Sequence, residues 1–364
     1  MSVDSAAQVG GLQVADESDS TAVNPPQETP VDPKSTLYRT VGAAVHLGLS
    51  LLETSRGKEA LVDIGRAVVS ASGNHIYYDD PKNMIFWVER FLTQLRSTFP
   101  SVILSRRIAG EGAILRTDWA SGGLGMDDWH PKNAGALRLN KTIIENFVRA
   151  GEAITKNQQP LEAHTTAYNN FMFIMGITIA HELVHSFVGY LSGSARPSTP
   201  ENISRLPSRY NTSHGRGTET GESGRAWEGL VFGGIVEAVE DPFNPLGAFQ
   251  AGVLYSLDGN EQAREVDPSY IGQILRGDFS FPLNTIGDPN DIDDLPDLMQ
   301  DIRLSQLPPG LAQIARRNRS SPKTISEEKL EIYNTHTPSR TVREREFAIM
   351  IQAIKDPRYL FVVP

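Results

Sequence analysis

The chain has 364 residues, 39% of them hydrophobic and 21% charged, which excludes a wholly disordered protein and provides for one large core or two smaller ones. Lys plus Arg number 34 against 44 Asp plus Glu, a formal charge of -10, so no general nucleic-acid or anionic-membrane surface is expected. The absence of cysteine excludes disulfides, Cys-based zinc knuckles, iron–sulfur clusters and thiol nucleophiles, and a bound metal must be held by His and carboxylate.

Residues 1–34 carry six acids (Asp4, Asp16, Glu17, Asp19, Glu28 and Asp32) against the single base Lys34, with no apolar period. Such a stretch does not offset the entropy of ordering and reads as a disordered acidic tail. Residues 35–100 read as a helical section. Val41, Ala44, Val45, Leu47, Leu49, Leu51 and Leu52, then Leu61, Ile64, Ala67 and Val68, give two helices parted around 55–57. Ile85, Phe86, Val88, Phe91, Leu92 and Leu95 give a third, punctuated by Pro81 and Pro100.

Residues 101–364 read as one α+β domain, mainly helical with a small sheet. The runs 101–108 (SVILSRRI) and 135–139 (GALRL) suit short strands, and the Gly-rich 120–125 between them a loop. Asn140 or Thr142 caps a helix to about residue 150, and another extends from about 162 into the 180s. Residues 193–221 form a long loop rich in Ser, Gly, Pro, Thr and Arg, of the kind that carries function, and a helix at about 222–230 follows it. The acidic run 288–301 lacks calcium-loop spacing and reads as a solvated loop, and a last helix is expected at about 340–354. No basic segment followed by an apolar one opens the chain, and the longest strongly apolar run, 171–180, is shorter than the roughly 20 residues of a spanning helix, so an intracellular protein outside the membrane is expected.

The chemistry is concentrated in His181-Glu182-Leu183-Val184-His185, an H-E-x-x-H sequence preceded by the apolar FMFIMGITIA. On a helix, positions i and i+4 lie one turn apart on one face, so both imidazoles can reach a single Zn2+. Glu182, beside the first ligand, is placed to hold and deprotonate a metal-bound water. Burying two His and one Glu among apolar neighbours without partners would cost several kcal/mol, which favours a shared ligand over chance placement.

These residues resemble the zincin superfamily of HExxH metallopeptidases, with support from the order strand, helix, active-site helix across about 137–191. The metzincin subgroup would require Gly at 188 and His at 191, where this chain has Val188 and Leu191, and the aspzincin G-T-x-D is missing. What remains is a gluzincin-like glutamate as third ligand, on a helix packed beside the active-site helix. In GESGRAWEGLVFGG the resemblance offers Glu222 and Glu228, 37 and 43 residues after His185, with Glu222 placed first and His214 as the outsider. The Asp often found four residues after that ligand is replaced by Ala226 or Phe232. Gly221 and Gly224 let the start of the helix approach another backbone, and the spare Glu would pair with Arg225.

The resemblance implies a zincin-like catalytic domain, one Zn2+ per chain, and hydrolysis of amide bonds in a peptide or protein by a Glu182-activated water. A zinc enzyme acting on a small molecule and a non-catalytic binding protein stapled by zinc are the alternatives. Oxyanion partners are sought among Arg225, Tyr210, His214 and Tyr190. Trp119, Trp129 and His130 either line a cleft beside an edge strand or anchor their loop by ordinary aromatic packing.

Overall fold

The computed structural model describes residues 9–286, apart from 19–26, 72–74, 109, 195–198, 201–202, 204–221, 240, 242–243 and 258–262. Strands β1 (Val14–Glu17) and β2 (Glu28–Pro30) precede helices α1 (Thr36–Glu53), α2 (Ser55–Ala71) and α3 (Met84–Ser97). Then come β3 (Ser101–Ser105), β4 (Gly112–Arg116), the single turn α4 (Pro131–Ala134), β5 (Gly135–Asn140), α5 (Lys141–Thr155) and the long α6 (Leu161–Ser192). The described elements end with α7 (Ser223–Phe232), β6 (Ile235–Val239), β7 (Val253–Leu257), β8 (Ala263–Val266), α8 (Pro268–Leu275) and β9 (Thr285–Ile286). The protein is α+β, as expected.

The helix boundaries follow from local chemistry. Ser35 Oγ accepts the Tyr38 N–H at 3.1 Å and starts α1, and Asn140 Oδ1 accepts the N–H groups of Thr142 and Ile143 and starts α5. Between α1 and α2, Thr54 Oγ1 accepts the Gly57 N–H at 3.0 Å, so a hydroxyl takes up a donor the interrupted helix leaves open. Helix α6 is buried almost all round from Asn170 to Leu191, because α1, α2, α5, α7, α8 and β4 all pack on it. It is the one described helix long and apolar enough to cross a membrane, and 94% of its apolar stretch lies inside the protein.

Two sheets flank this helix. The first has the order β2-β1-β3-β5-β4, with β1, β3 and β5 parallel and β2 and β4 antiparallel at the edges. Its register puts Val14, Val102, Leu104, Leu137 and Leu139 on one buried face, and Gly112 and Ile114 of β4 extend that face to α6. The second sheet is an antiparallel meander, β6-β7-β8-β9.

Three expectations are corrected. Residues 9–18 and 27–34 are not a structureless tail: β1 lies inside the first sheet, with Val9, Leu12 and Val14 buried and Asp16 paired to Lys141 at 2.7 Å. The acidic composition concealed three well-spaced aliphatic residues. The helical section 35–100 is no separate unit either, since α1, α2 and α3 share one apolar core with α6. Finally, the stretch after residue 241 holds β7, β8, α8 and β9, so the sheet content exceeds one small sheet. The expected acidic loop at 288–301 and helix at 340–354 lie outside the described residues.

Removing residues 1–34 therefore lowers stability. Three buried aliphatic side chains are worth roughly 1.5–3 kcal/mol each, and for a chain of this size ~1 kcal/mol moves the melting temperature by ~2–4 °C. Calorimetry should show a fall of about 10 °C or more in the truncated protein; an unchanged transition would mean that β1 contributes nothing to the sheet.

Candidate metal centre

His181 and His185 fall one turn apart on α6, and α7 closes over them with its first residues. His181 Nε2, His185 Nε2 and a Glu222 carboxylate oxygen all lie within 4.8 Å of one another, a group that can hold a metal ion. The two Nε2 atoms are 3.2 Å apart, Glu222 Oε1 lies 3.4 Å from that of His181, and it contacts that of His185 more closely still.

Each ring is held by its other nitrogen. His181 Nδ1 meets Glu228 Oε1 at 2.6 Å, and Glu228 Oε2 accepts the Val236 N–H of β6 at 3.0 Å. His185 Nδ1 meets Ser223 Oγ at 3.0 Å. A carboxylate only accepts, so Nδ1 of His181 carries the hydrogen, and in the neutral ring Nε2 presents a lone pair. Where Ser223 accepts from His185 Nδ1, both Nε2 atoms present lone pairs, and with the carboxylate they repel unless a cation or protons lie between them. That donor set of two imidazoles and one carboxylate fits a divalent ion such as zinc.

The electrostatics of the metal-free cluster say the same. Burial works against a charged His181, but the carboxylates of Glu222 and Glu228 overcome it and hold the imidazole well above its ordinary range. Burial likewise opposes a charged Glu222, and His185 and His181 keep it well below the usual carboxylate range. Without metal a protonated His181 beside an ionised Glu222 is thus favoured, and metal binding must displace that proton.

The local fold explains this placement. Glu222 is the N-cap of α7: its Oε2 accepts the Arg225 N–H at 2.5 Å, leaving Oε1 to face the histidines. Gly224 is required by close approach, since a Cβ there would overlap the His181 ring. Glu182, 4% exposed, points to the other side, where its Oε2 accepts the Ile114 N–H of β4 at 2.8 Å.

The structure thus brings together His181, His185 and Glu222, with Glu182 beside them on α6 and turned to β4. Glu228, the other glutamate offered as a ligand, lies outside this group and meets His181 at Nδ1 instead. Arg225, 1% exposed, meets Glu222 through its backbone N–H, and its Nη1 lies 3.3 Å from Glu237 Oε1. Tyr190 belongs to an aromatic cluster with Phe91, Trp119, Trp129 and Phe187, and Trp119 Nε1 donates to Gly189 O at 3.1 Å. The two Trp are loop anchors, while His130 is exposed at the start of α4. Tyr210 and His214 lie outside the described residues. Two residues of the site had not been singled out. Ser223 is next to a candidate ligand at a helix start, a position that could have marked it. Arg116, whose Nη1 donates to His185 O at 3.2 Å, belongs to a strand that carries no motif.

Fold and site together define an α+β protein whose central helix and neighbouring helix start present a His-His-Glu group able to hold a metal ion. No protein-family model, curated protein or solved structure matches the chain.

Proposed function

We propose that the protein is a zinc-dependent hydrolase of metallopeptidase type on a zincin-like fold, cleaving amide bonds in a peptide or protein. The observation that carries this reading is the convergence of His181 Nε2, His185 Nε2 and Glu222 Oε1, with a carboxylate that is not among them, Glu182, one residue along the helix. Among the described residues three protein donors converge, and three would leave a tetrahedral ion one position for water, as in catalytic rather than structural zinc sites. A zinc ion held there supplies Lewis acidity that polarises a carbonyl and acidifies water.

The remaining work falls to the chain's own residues. Glu222 neutralises part of the charge of the dication, and Glu228 and Ser223 keep both imidazoles turned inward. Glu182 takes a proton from the attacking water and passes it to the leaving amine as the C–N bond breaks. The Ile114 N–H holds Glu182 in place, and because it points away from β5, the free edge of β4 runs beside the base. An extended peptide can add to such an edge as a further strand. A purely structural zinc would have no need of a base at Glu182, which favours the enzyme over the staple.

The test is metal analysis of protein supplied with zinc, combined with digestion of an unbiased peptide library before and after chelation. About one zinc per chain and chelator-sensitive cleavage are expected. Stoichiometric zinc without any cleavage would leave the non-catalytic reading in its place, and no stoichiometric metal would end the metal reading altogether.

A further inference from the structure

The reaction proposed above develops negative charge on the carbonyl oxygen, and a site that stabilises it needs a preoriented donor or cation. Of the residues expected to fill that role, Arg225 is committed to Glu237 and Tyr190 to the aromatic core. Another cation lies against α6 at His185. Arg116 ends β4, two residues after Ile114 and therefore on the same face of the strand, the face directed at α6. Gly112 begins that face opposite Thr178, Ile114 meets Glu182, and Arg116 crosses α6 at His185 and Gly189.

The crossing is close. A Cβ on Gly189 would stand 3.0 Å from Arg116 Cδ, so the missing side chain at 189 is what lets the arginine lie across the helix. Its Nη1 donates to His185 O at 3.2 Å, which pins the guanidinium to the backbone of a candidate ligand. A guanidinium has five N–H donors, and His185 O is the one acceptor Arg116 meets among the described residues. The side chain is half-buried. Burial disfavours its charge while Glu182 and Glu222 favour it, so the cation lies within electrostatic reach of both the base and the carboxylate ligand.

Resting on the hydrolase reading, we propose that Arg116 is a catalytic residue of this centre, the edge-strand cation that receives the substrate's carbonyl oxygen and stabilises the oxyanion formed from it. The class of ligand it takes is an oxyanion presented beside the metal, and its planar fork, anchored at one nitrogen, keeps the others free for that oxygen.

Wild type, R116Q and R116K are loaded with zinc and titrated calorimetrically with inorganic phosphate, a tetrahedral oxyanion, at fixed ionic strength. The zinc affinity of each is measured against a chelator. R116Q should weaken phosphate binding by about tenfold or more, R116K should keep part of it, and zinc affinity should stay within about twofold. On a cleaved library peptide R116Q should lower kcat by a factor on the order of 10². Equal phosphate affinity in wild type and R116Q overturns the proposal. So does a parallel loss of zinc affinity in R116Q, which would make Arg116 a prop for His185. A wild type without stoichiometric zinc overturns the metal reading, and this inference with it, so the two failures are told apart.

Discussion

Replacing Glu182 by Gln should leave zinc bound and reduce hydrolysis by a factor on the order of 10² or more. Zinc is retained because the Glu182 carboxylate is not among the three converging donors. The fold is retained because the Gln amide oxygen can still accept the Ile114 N–H, so the side chain keeps its place between α6 and β4. What disappears is the ability to take a proton from water. The comparison needs three measurements on the same preparations: zinc content, melting temperature and turnover of a peptide found by library digestion. Unchanged turnover with normal zinc would rule out Glu182 as the base. A simultaneous loss of zinc would mean that the carboxylate holds the metal and that the division of labour on α6 is different.

The parts of this site that were legible in the sequence are those set by helical period. His181 and His185 obey i, i+4 spacing within an apolar run, with Glu182 directly after the first, and that pattern alone placed them on one buried helix. Glu222 was offered beside Glu228 by the resemblance and put first for the glycines around it, which leave room to approach a neighbour; its capping bond is visible only in the fold. The role of Glu228 was not legible. The candidate ligand and the residue on His181 Nδ1 are both glutamates of one short helix, and what separates them is the position of β6, whose Val236 N–H takes the far oxygen of Glu228. Arg116 was hidden for another reason: GAILR is too short and too mixed to announce an edge strand, and its register against β5 is a long-range pairing. Strand β1 escaped notice because composition averaged over 34 residues outweighed Val9, Leu12 and Val14, whose burial depends on β3 lying 88 residues ahead in register, Val14 against Val102.

Separating Glu222 from Glu228 is the sharpest remaining test of the centre. Losing an outer hydrogen-bond partner typically lowers metal affinity by roughly 10–100-fold, because the imidazole keeps its bond to the ion and loses only its preferred orientation. That is the range expected for Glu228→Gln, whose single amide oxygen can accept from Val236 N–H or from His181 Nδ1–H but not from both, so the hold on the imidazole is weakened. Glu222→Ala should exceed it. The change removes a donor atom, removes a negative charge facing a dication, and takes the N-cap from α7, whose first turn also presents Ser223 to His185. Loss of the cap alone costs about 1 kcal/mol and would not by itself release the ion, so Glu222→Asn, which can cap but carries no charge, serves as the control. In a chelator competition the expected order of zinc affinity is wild type, then Glu228→Gln, then Glu222→Asn, then Glu222→Ala. If Glu228→Gln loses zinc more completely than Glu222→Ala, the ligand assignment is reversed and the short His181–Glu228 contact is a place taken up only in the absence of metal. Should all three variants keep wild-type affinity, a donor outside the described residues holds the ion, and the gluzincin-like comparison fails.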